Sequence, residues 1–463
     1  MSSSNGNGRP AGGATASRVR LLTPLRLRDF RYLWTGMTVS LLGDGIFLVA
    51  IAWQVYQLSN APAALSVVGI AMSVPHVVLL LLGGLVSDRF DRRKVMVGAD
   101  LLRGAAIGVL GILSITGVLE LWHVLILTAL YGAGTAFFGP AFDAIVPDVV
   151  PAELLAEANS LDQFVRPAAW RLAGPALGGW LIAAWGPGGA FLVDALTFAV
   201  SIVAVMMMHP LASPANEEDS EGSAFAEVKE GFRFVRSHVW LWGTFLAATF
   251  AYLMFMGPTE VLLPFVIKNN LHGSASDLGF VFALGGVGAI IAAVVMGQRG
   301  TPRRHITFMY IVWTLSTLAV AGYGLAHFTW QVMAACFAFN ALETAGTIVW
   351  ATTKQRLVPS RLLGRVSSLD WFISIGLLPV SFALTAPIAG LFGARATLIG
   401  AGVVGGVVTF CFLFLPGMRA IERSGAVFRA AGSQDASQAA GEVIGAGPEG
   451  NGLGLLGAPA PTP

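Results

Sequence analysis

The sequence predicts an all-α integral membrane protein, with twelve transmembrane helices in two pseudo-symmetric six-helix bundles. Three observations predict it. Apolar runs long enough to cross a bilayer recur through most of the chain, the lysines and arginines fall on alternate connections, and the second half repeats the first.

Composition sets the class. Of 463 residues, 55% are hydrophobic and 12% are charged, and the mean hydropathy is +0.71. A soluble chain carries roughly 25% charged residues. Runs of about 20 apolar residues match the hydrocarbon thickness. Twelve such spans are expected at 32–57, 63–86, 96–117, 121–142, 160–184, 188–208, 239–266, 275–297, 306–326, 329–352, 367–391 and 396–416.

These spans divide the chain. Residues 1–24 are expected to be a disordered tail, and the first twenty hold no apolar stretch of the kind a cleavable signal needs. Residues 25–208 form the first bundle, opened by LRLRDFRY, whose alternating basic and apolar residues suit an interface. The connection 209–238 carries an acidic patch (Glu217, Glu218, Asp219, Glu221), then a basic amphipathic stretch through Lys229, Arg233 and Arg236. Residues 239–418 form the second bundle, and the Gly/Ala/Pro-rich 419–463 is expected to be a disordered tail. Cys336 and Cys411 lie far apart in apolar runs and read as small core hydrophobes.

The placement of charge gives the orientation. Even-numbered connections hold Arg89, Arg92, Arg93, Lys94, Lys229, Arg233, Arg236, Arg299, Arg303, Arg304, Lys354, Arg356, Arg361 and Arg365. The odd-numbered ones hold only Lys268 and Arg395. Basic residues stay on the cytoplasmic side, so both termini are expected there. A missed helix would scramble this asymmetry, which supports an even span number.

The repeat is visible in the residues. VPAELLAEANSLDQF at 150–164 and VPSRLLGRVSSLDWF at 358–372 agree at eight of fifteen positions, at an offset of 208. Each copy leads into the fifth helix of its half. Pro175-x-x-Gly178 also has an echo in Pro387-x-x-Gly390. Parallel six-helix repeats place a substrate site between the halves. The copies differ in sign at Glu153 and Glu157 against Arg361 and Arg365. These are expected to pair as a cytoplasmic gate, each pair worth at most about 1 kcal/mol if exposed.

Enzyme and pump readings fail. None of the four lysines stands in a Gly-Lys-Ser/Thr phosphate loop. The seven histidines lack metal-ligand spacing, and no nucleophile elbow occurs. No cofactor, metal or nucleic acid is implied. Transport would run on an ion gradient or on the gradient of the substrate.

Between the second and third spans, Gly83 to Val95 reads GGLVSDRFDRRKV, a turn with Asp88 and the basic cluster Arg89, Arg92, Arg93 and Lys94. A tight turn accounts for Gly83 and Gly84. The stretch resembles the signature loop of the major facilitator superfamily of secondary transporters, with Asp91 where that pattern has Gly. In that superfamily the loop meets the start of helix eleven, here Ser367 to Trp371. The resemblance therefore implies a latch between the halves built on Gly84, Asp88, Arg89, Arg92 and Arg93, with Asp370 as a partner for the arginines.

Gly174-Pro175-Ala-Leu-Gly178-Gly179 in the fifth span is a close-packing and kinking sequence on its own terms. It also resembles the antiporter motif of exporters in this superfamily, with Leu161 and Trp170 where that motif has further glycines.

Ionisable residues inside spans are costly and mark function. Glu343 lies near the middle of the tenth span among small and apolar neighbours, and Asp44 sits halfway along the first between glycines. Glu260 lies toward the outer end of the seventh, and Arg166 and Arg171 lie in the fifth. These are the candidates for proton coupling or the substrate cavity. The alternative is that they tie helices together, which weighs most for Asp194 and Glu260. Helices one, four, seven and ten line the cavity in this superfamily, so the resemblance places Asp44, Glu260 and Glu343 there. Trp53, Tyr131, Phe137, Phe138, Trp350 and Trp371 are rings available to stack on a substrate.

LLGDGIFLVAIAWQVYQL, FLVDALTFAVS and LLGRVSSLDWFISIGLLPV resemble the branch of macrolide and multidrug efflux proteins. That resemblance implies a monomeric exporter of small amphipathic molecules, working by alternating access in the lipid bilayer as a proton antiporter. Siderophore exporters, lysophospholipid flippases and solute importers share the pattern.

Overall fold

The structure, a computed structural model, describes residues 22–151, 154–209, 224–299 and 302–424. It is all-helical among the described residues. Eleven helical stretches are long and apolar enough to cross a membrane. One of them, Phe164–Met206, has 43 residues, and at 1.5 Å per residue it would measure about 65 Å, twice the hydrocarbon thickness. It folds back at Gly186, whose φ of 73° and ψ of 173° only glycine adopts readily. Pro187 follows, and the stretch therefore supplies spans five and six. The eleven stretches make twelve spans, as the alternating charges require.

The others are Arg28–Leu58, Pro62–Arg89, Arg92–Thr116 and Leu121–Val149 in the first half. The second half has Val239–Phe265, Ala275–Arg299, His305–Leu325, Thr329–Leu357, the pair Ser360–Ile375 and Leu378–Phe392, and Ala394–Phe412. Span eleven is broken at Gly376 and Leu377, ahead of Pro379. Span five is irregular too. Leu155–Arg166 passes into a π-helical turn at Pro167–Ala173 before the α-helix resumes at Gly174.

The glycines of GGLVSDRFDRRKV do not form a turn. Helix two runs through them to Arg89, and only Phe90 and Asp91 separate it from helix three. A side chain on Gly83 would strike the Ala136 carbonyl of helix four, while one on Gly84 would meet nothing. Gly83 therefore serves helix packing. Asp91 caps helix three, its side chain accepting from Arg93 N at 3.0 Å.

Large apolar side chains cover the outside, among them Leu391 at 79% exposure. Lipid rather than water is the solvent there, so contact between helices comes from close packing of small residues. Two basic residues assigned to the outer side are absorbed by carbonyls: Lys268 donates to Tyr56 O, and Arg395 to Ala326 O at 2.5 Å.

At the ends expected to face outward, the two halves are bonded to each other. Tyr56 of span one donates to Val261 O of span seven at 2.5 Å, and Asn60 donates to Asn269 at 2.7 Å. Gly69 of span two lies against the Phe382 ring of span eleven.

In the central connection, Ala224–Ser237 is helical and Glu230 pairs with Arg365 at 3.0 Å. Its acidic patch lies outside the described residues, as do residues 1–21 and 425–463 of the two tails. Ala420–Ser424, expected within the C-terminal tail, is instead a short helix held by Glu422, which accepts from Thr307 N at 2.9 Å.

Candidate functional site

Two polar clusters form inside the helices. The first bridges the halves. Arg171, in the π-helical turn of span five, donates to Asn340 of span ten at 2.7 Å and lies 3.7 Å from Glu343. Their side chains are 34% and 21% exposed, so the pair lines open space rather than a sealed core. Glu343 also accepts from Thr347 at 2.9 Å. Glu260 of span seven lies within the field of Arg171.

Local sequence explains the approach. Pro167 opens the π turn and has no N–H to donate to the previous turn. Across from it, span eight presents Gly285 and Gly286. A side chain on Gly286 would lie 2.7 Å from the Arg171 carbonyl, and one on Gly285 would lie 2.6 Å from Asn340 Nδ2. Two adjacent glycines thus admit Arg171 and its hydrogen-bond partner Asn340. Neither was a candidate from sequence, although two neighbouring glycines inside an apolar span are a readable sign of close backbone approach.

The second cluster lies within the first half. Tyr131 of span four donates to Asp44 at 2.7 Å. Arg103 of span three lies 3.9 Å from Asp44 and bonds directly to Asp100. Ser201 of span six donates to the other oxygen of Asp100 at 2.6 Å. The guanidinium sits 4.3 Å from the Phe138 ring centre and 4.8 Å from that of Phe198, so its faces are covered by rings. Asp194 of span six also belongs here, within the field of Asp44 and Arg103, and is fully buried. Asp100 and Arg103 escaped the sequence reading; an acid and an arginine three apart within an apolar span were the available sign.

The structure distributes the remaining candidates. Arg166 stays within span five, paired with Asp162 at 2.6 Å and 5.3 Å from the Phe142 ring centre. Gly174, Gly178 and Gly179 lie at helix crossings. Side chains on the first two would meet Gly45 and Ile46 of span one, and one on Gly179 would meet Ala275 and Ser276 of span eight. Pro175 completes this contact, its carbonyl lying where a side chain on Gly279 would go. The echo at Gly390 has no such neighbour.

Among the described residues, Asp370 is bonded within the second half and not to Arg89, Arg92 or Arg93. Asp370 accepts from Trp350 at 2.8 Å and Lys354 at 2.5 Å, both on span ten. Arg92 bonds Asp148 and the Ala144 carbonyl, and Arg93 donates to the carbonyls of Val205 and Met206 at 3.3 and 3.1 Å. Both arginines thus serve their own half, where cations at helix C-termini are favoured. Arg89 is exposed. The side chains of Asp88, Glu157 and Arg361, and Glu153 entirely, lie outside the described residues. Of the rings, Tyr131 and Trp350 are committed to hydrogen bonds in the core, and Trp371 is exposed.

The chain resembles macrolide efflux protein A of Streptococcus pyogenes at 24% identity, over 81% of this chain and 93% of that one. It resembles the multidrug efflux pump Tap of Mycolicibacterium fortuitum at 25% identity, over 82% and 94%. A solved structure with the same fold is a bacterial homologue of the iron transporter ferroportin in an inward-facing state. The TM-score is 0.60 at 18% identity, covering 84% of this chain and 99% of that one. Residues 19–436 match the family described as transmembrane secretion effectors. The chain belongs to that family, within the major facilitator superfamily of membrane transporters.

Proposed function

We propose that this transporter exports small amphipathic molecules across the bacterial cytoplasmic membrane in exchange for protons. It works as a monomer with both termini in the cytoplasm. The observation that carries the reading is the Arg171–Glu343 pair. It joins span five of one half to span ten of the other beside open space, where rocking of the halves must remake it. A carboxylate there can hold a proton or face a cationic substrate, but not both at once. Glu260, within the field of Arg171, is a further acid beside this pair, and Asp44 is a candidate acid of the first half. The relatives named for macrolide and multidrug efflux support export, and the glycine packing of span five against spans one and eight supports an antiporter. The seal at the outer ends, with the cytoplasmic arginines held in their own half, supports a cytoplasm-facing state. The latch (Gly84, Asp88, Arg89, Arg92, Arg93, Asp370) and the gate (Glu153, Glu157, Arg361, Arg365) belong to the opposite state.

Cells expressing the protein are loaded with ethidium or a macrolide, with and without an uncoupler. Efflux that collapses with the uncoupler is the expected result. Glu343→Gln is expected to abolish efflux while membrane expression stays intact. Normal resistance in that variant would remove Glu343 from the proton route.

A further inference from the structure

Span six carries an acid that helix packing leaves without an ion partner. Asp194 is fully buried, and Thr197 donates to its Oδ1 at 3.2 Å. Its Oδ2 has no hydrogen-bond partner. Asp44, Tyr131 and Arg103 all lie within its electrostatic range, from spans one, four and three. Span three adds Asp100, and His76 of span two lies within the field of Arg103. Gly43, next to Asp44, has no side chain where the Asp194 and Thr197 oxygens lie, which lets spans one and six close on each other.

The charges do not balance. Asp44, Asp100 and Asp194 share one fixed cation, Arg103, which bonds Asp100 and reaches Asp44 only at 3.9 Å. An ionised Asp194 would be a buried charge with one hydroxyl for company, and burying an unpaired carboxylate costs several kcal/mol. A proton on Oδ2 removes that charge.

We propose that Asp194 is a proton-binding site of the first bundle that exchanges its proton with Asp44, on a route separate from the Arg171–Glu343 pair. In the transfer the O–H bond on Asp194 breaks and one on Asp44 forms, so the negative charge passes from Asp44 to Asp194. Tyr131 occupies Asp44 Oδ1, and Oδ2, which lies 3.9 Å from Arg103, beyond hydrogen-bond distance, is the oxygen that receives the proton. Asp44 is 14% exposed and Asp194 0%, so Asp44 is the end that meets water and Asp194 is the store.

The inference rests on the proton-exchange reading above, and the test separates the two. The full chain is placed in vesicles with ethidium as probe and assayed in two modes. One is uptake driven by a pH gradient; the other is counterflow at equal pH, which needs alternating access but no net proton movement. Asp194→Asn keeps the size of the protonated acid. It is expected to retain counterflow and lose gradient-driven uptake. Gradient-driven uptake at the wild-type rate in this variant overturns the proposal. Should both modes be lost, infrared spectroscopy decides on a protein with the cluster intact. In Glu260→Gln/Glu343→Gln, a protonated-carboxyl band at neutral pH that shifts in heavy water and is moved by adding Asp194→Glu supports the site, and the absence of a band that responds to Asp194→Glu overturns it. Wild type without any gradient-driven uptake refutes proton exchange itself, while the infrared band still reports on Asp194.

Discussion

Asp91 shows how one side chain sets a local structure. Its carboxylate caps helix three through Arg93 N, and the negative charge lies at the positive end of that helix. Removing a capping acid costs about 0.5–2 kcal/mol when Ala replaces it, and a few tenths when Gly does. Asp91→Ala is therefore expected to lower the melting temperature in detergent, while Asp91→Gly, the residue of the superfamily pattern, stays close to wild type. Equal shifts in the two variants would mean that Asp91 acts through something other than its cap. Glu343 and Asp44 differ in the same concrete way. Glu343 faces an arginine from the opposite half, whereas Asp44 is held by Tyr131 and Arg103 of its own. A conformational change of the halves reaches the first directly and the second only through helix packing.

Span eight depends on the pair Gly285 and Gly286. A methyl group on Gly286 would overlap the backbone of Arg171, which no rotamer can avoid. Overpacking of this kind costs about 1–3 kcal/mol. Gly286→Ala is expected to destabilise the protein and weaken efflux. Gly297→Ala in the same helix, where the added atom meets nothing, is expected to be neutral or slightly stabilising. Thermal unfolding of the two variants checks this; equal behaviour would dismiss the crossing. The spans were legible in the sequence because hydropathy and basic residues are set by the bilayer itself. The bend at Gly186 was legible as a gap between runs, but the π turn at Pro167–Ala173 was not, since an apolar run looks alike in α and π geometry. Arg171 and Glu343 stood out as charges in lipid, yet their pairing depends on which faces meet across the halves. Asp100 and Arg103 went unread because each neutralises the other inside a span, and the turn expected at Gly83 and Gly84 is helix.

At the scale of the molecule, the proposed export requires the halves to part at the ends away from the termini. The seal there is small in bonds: Tyr56 to Val261, Asn60 to Asn269, and the Lys268 ammonium on the Tyr56 carbonyl. Single hydrogen bonds of this type are worth about 1 kcal/mol, so a seal of three is small enough to open in the proposed cycle. Asn60 and Asn269 touch at 2.7 Å, the first exposed and the second half-buried, which makes them the place to hold it shut. In a background with Cys336→Ala and Cys411→Ala, Asn60→Cys with Asn269→Cys is expected to be joined by a short bifunctional maleimide. Transport should then stop, and neither single cysteine variant should be affected by the reagent. Repeating the experiment with a reducible linker should restore transport once reductant is added, which separates a locked conformation from a damaged protein. Full transport in the cross-linked double variant would show that the outer ends stay together throughout the cycle, and alternating access by rocking of the halves would have to be given up for this chain.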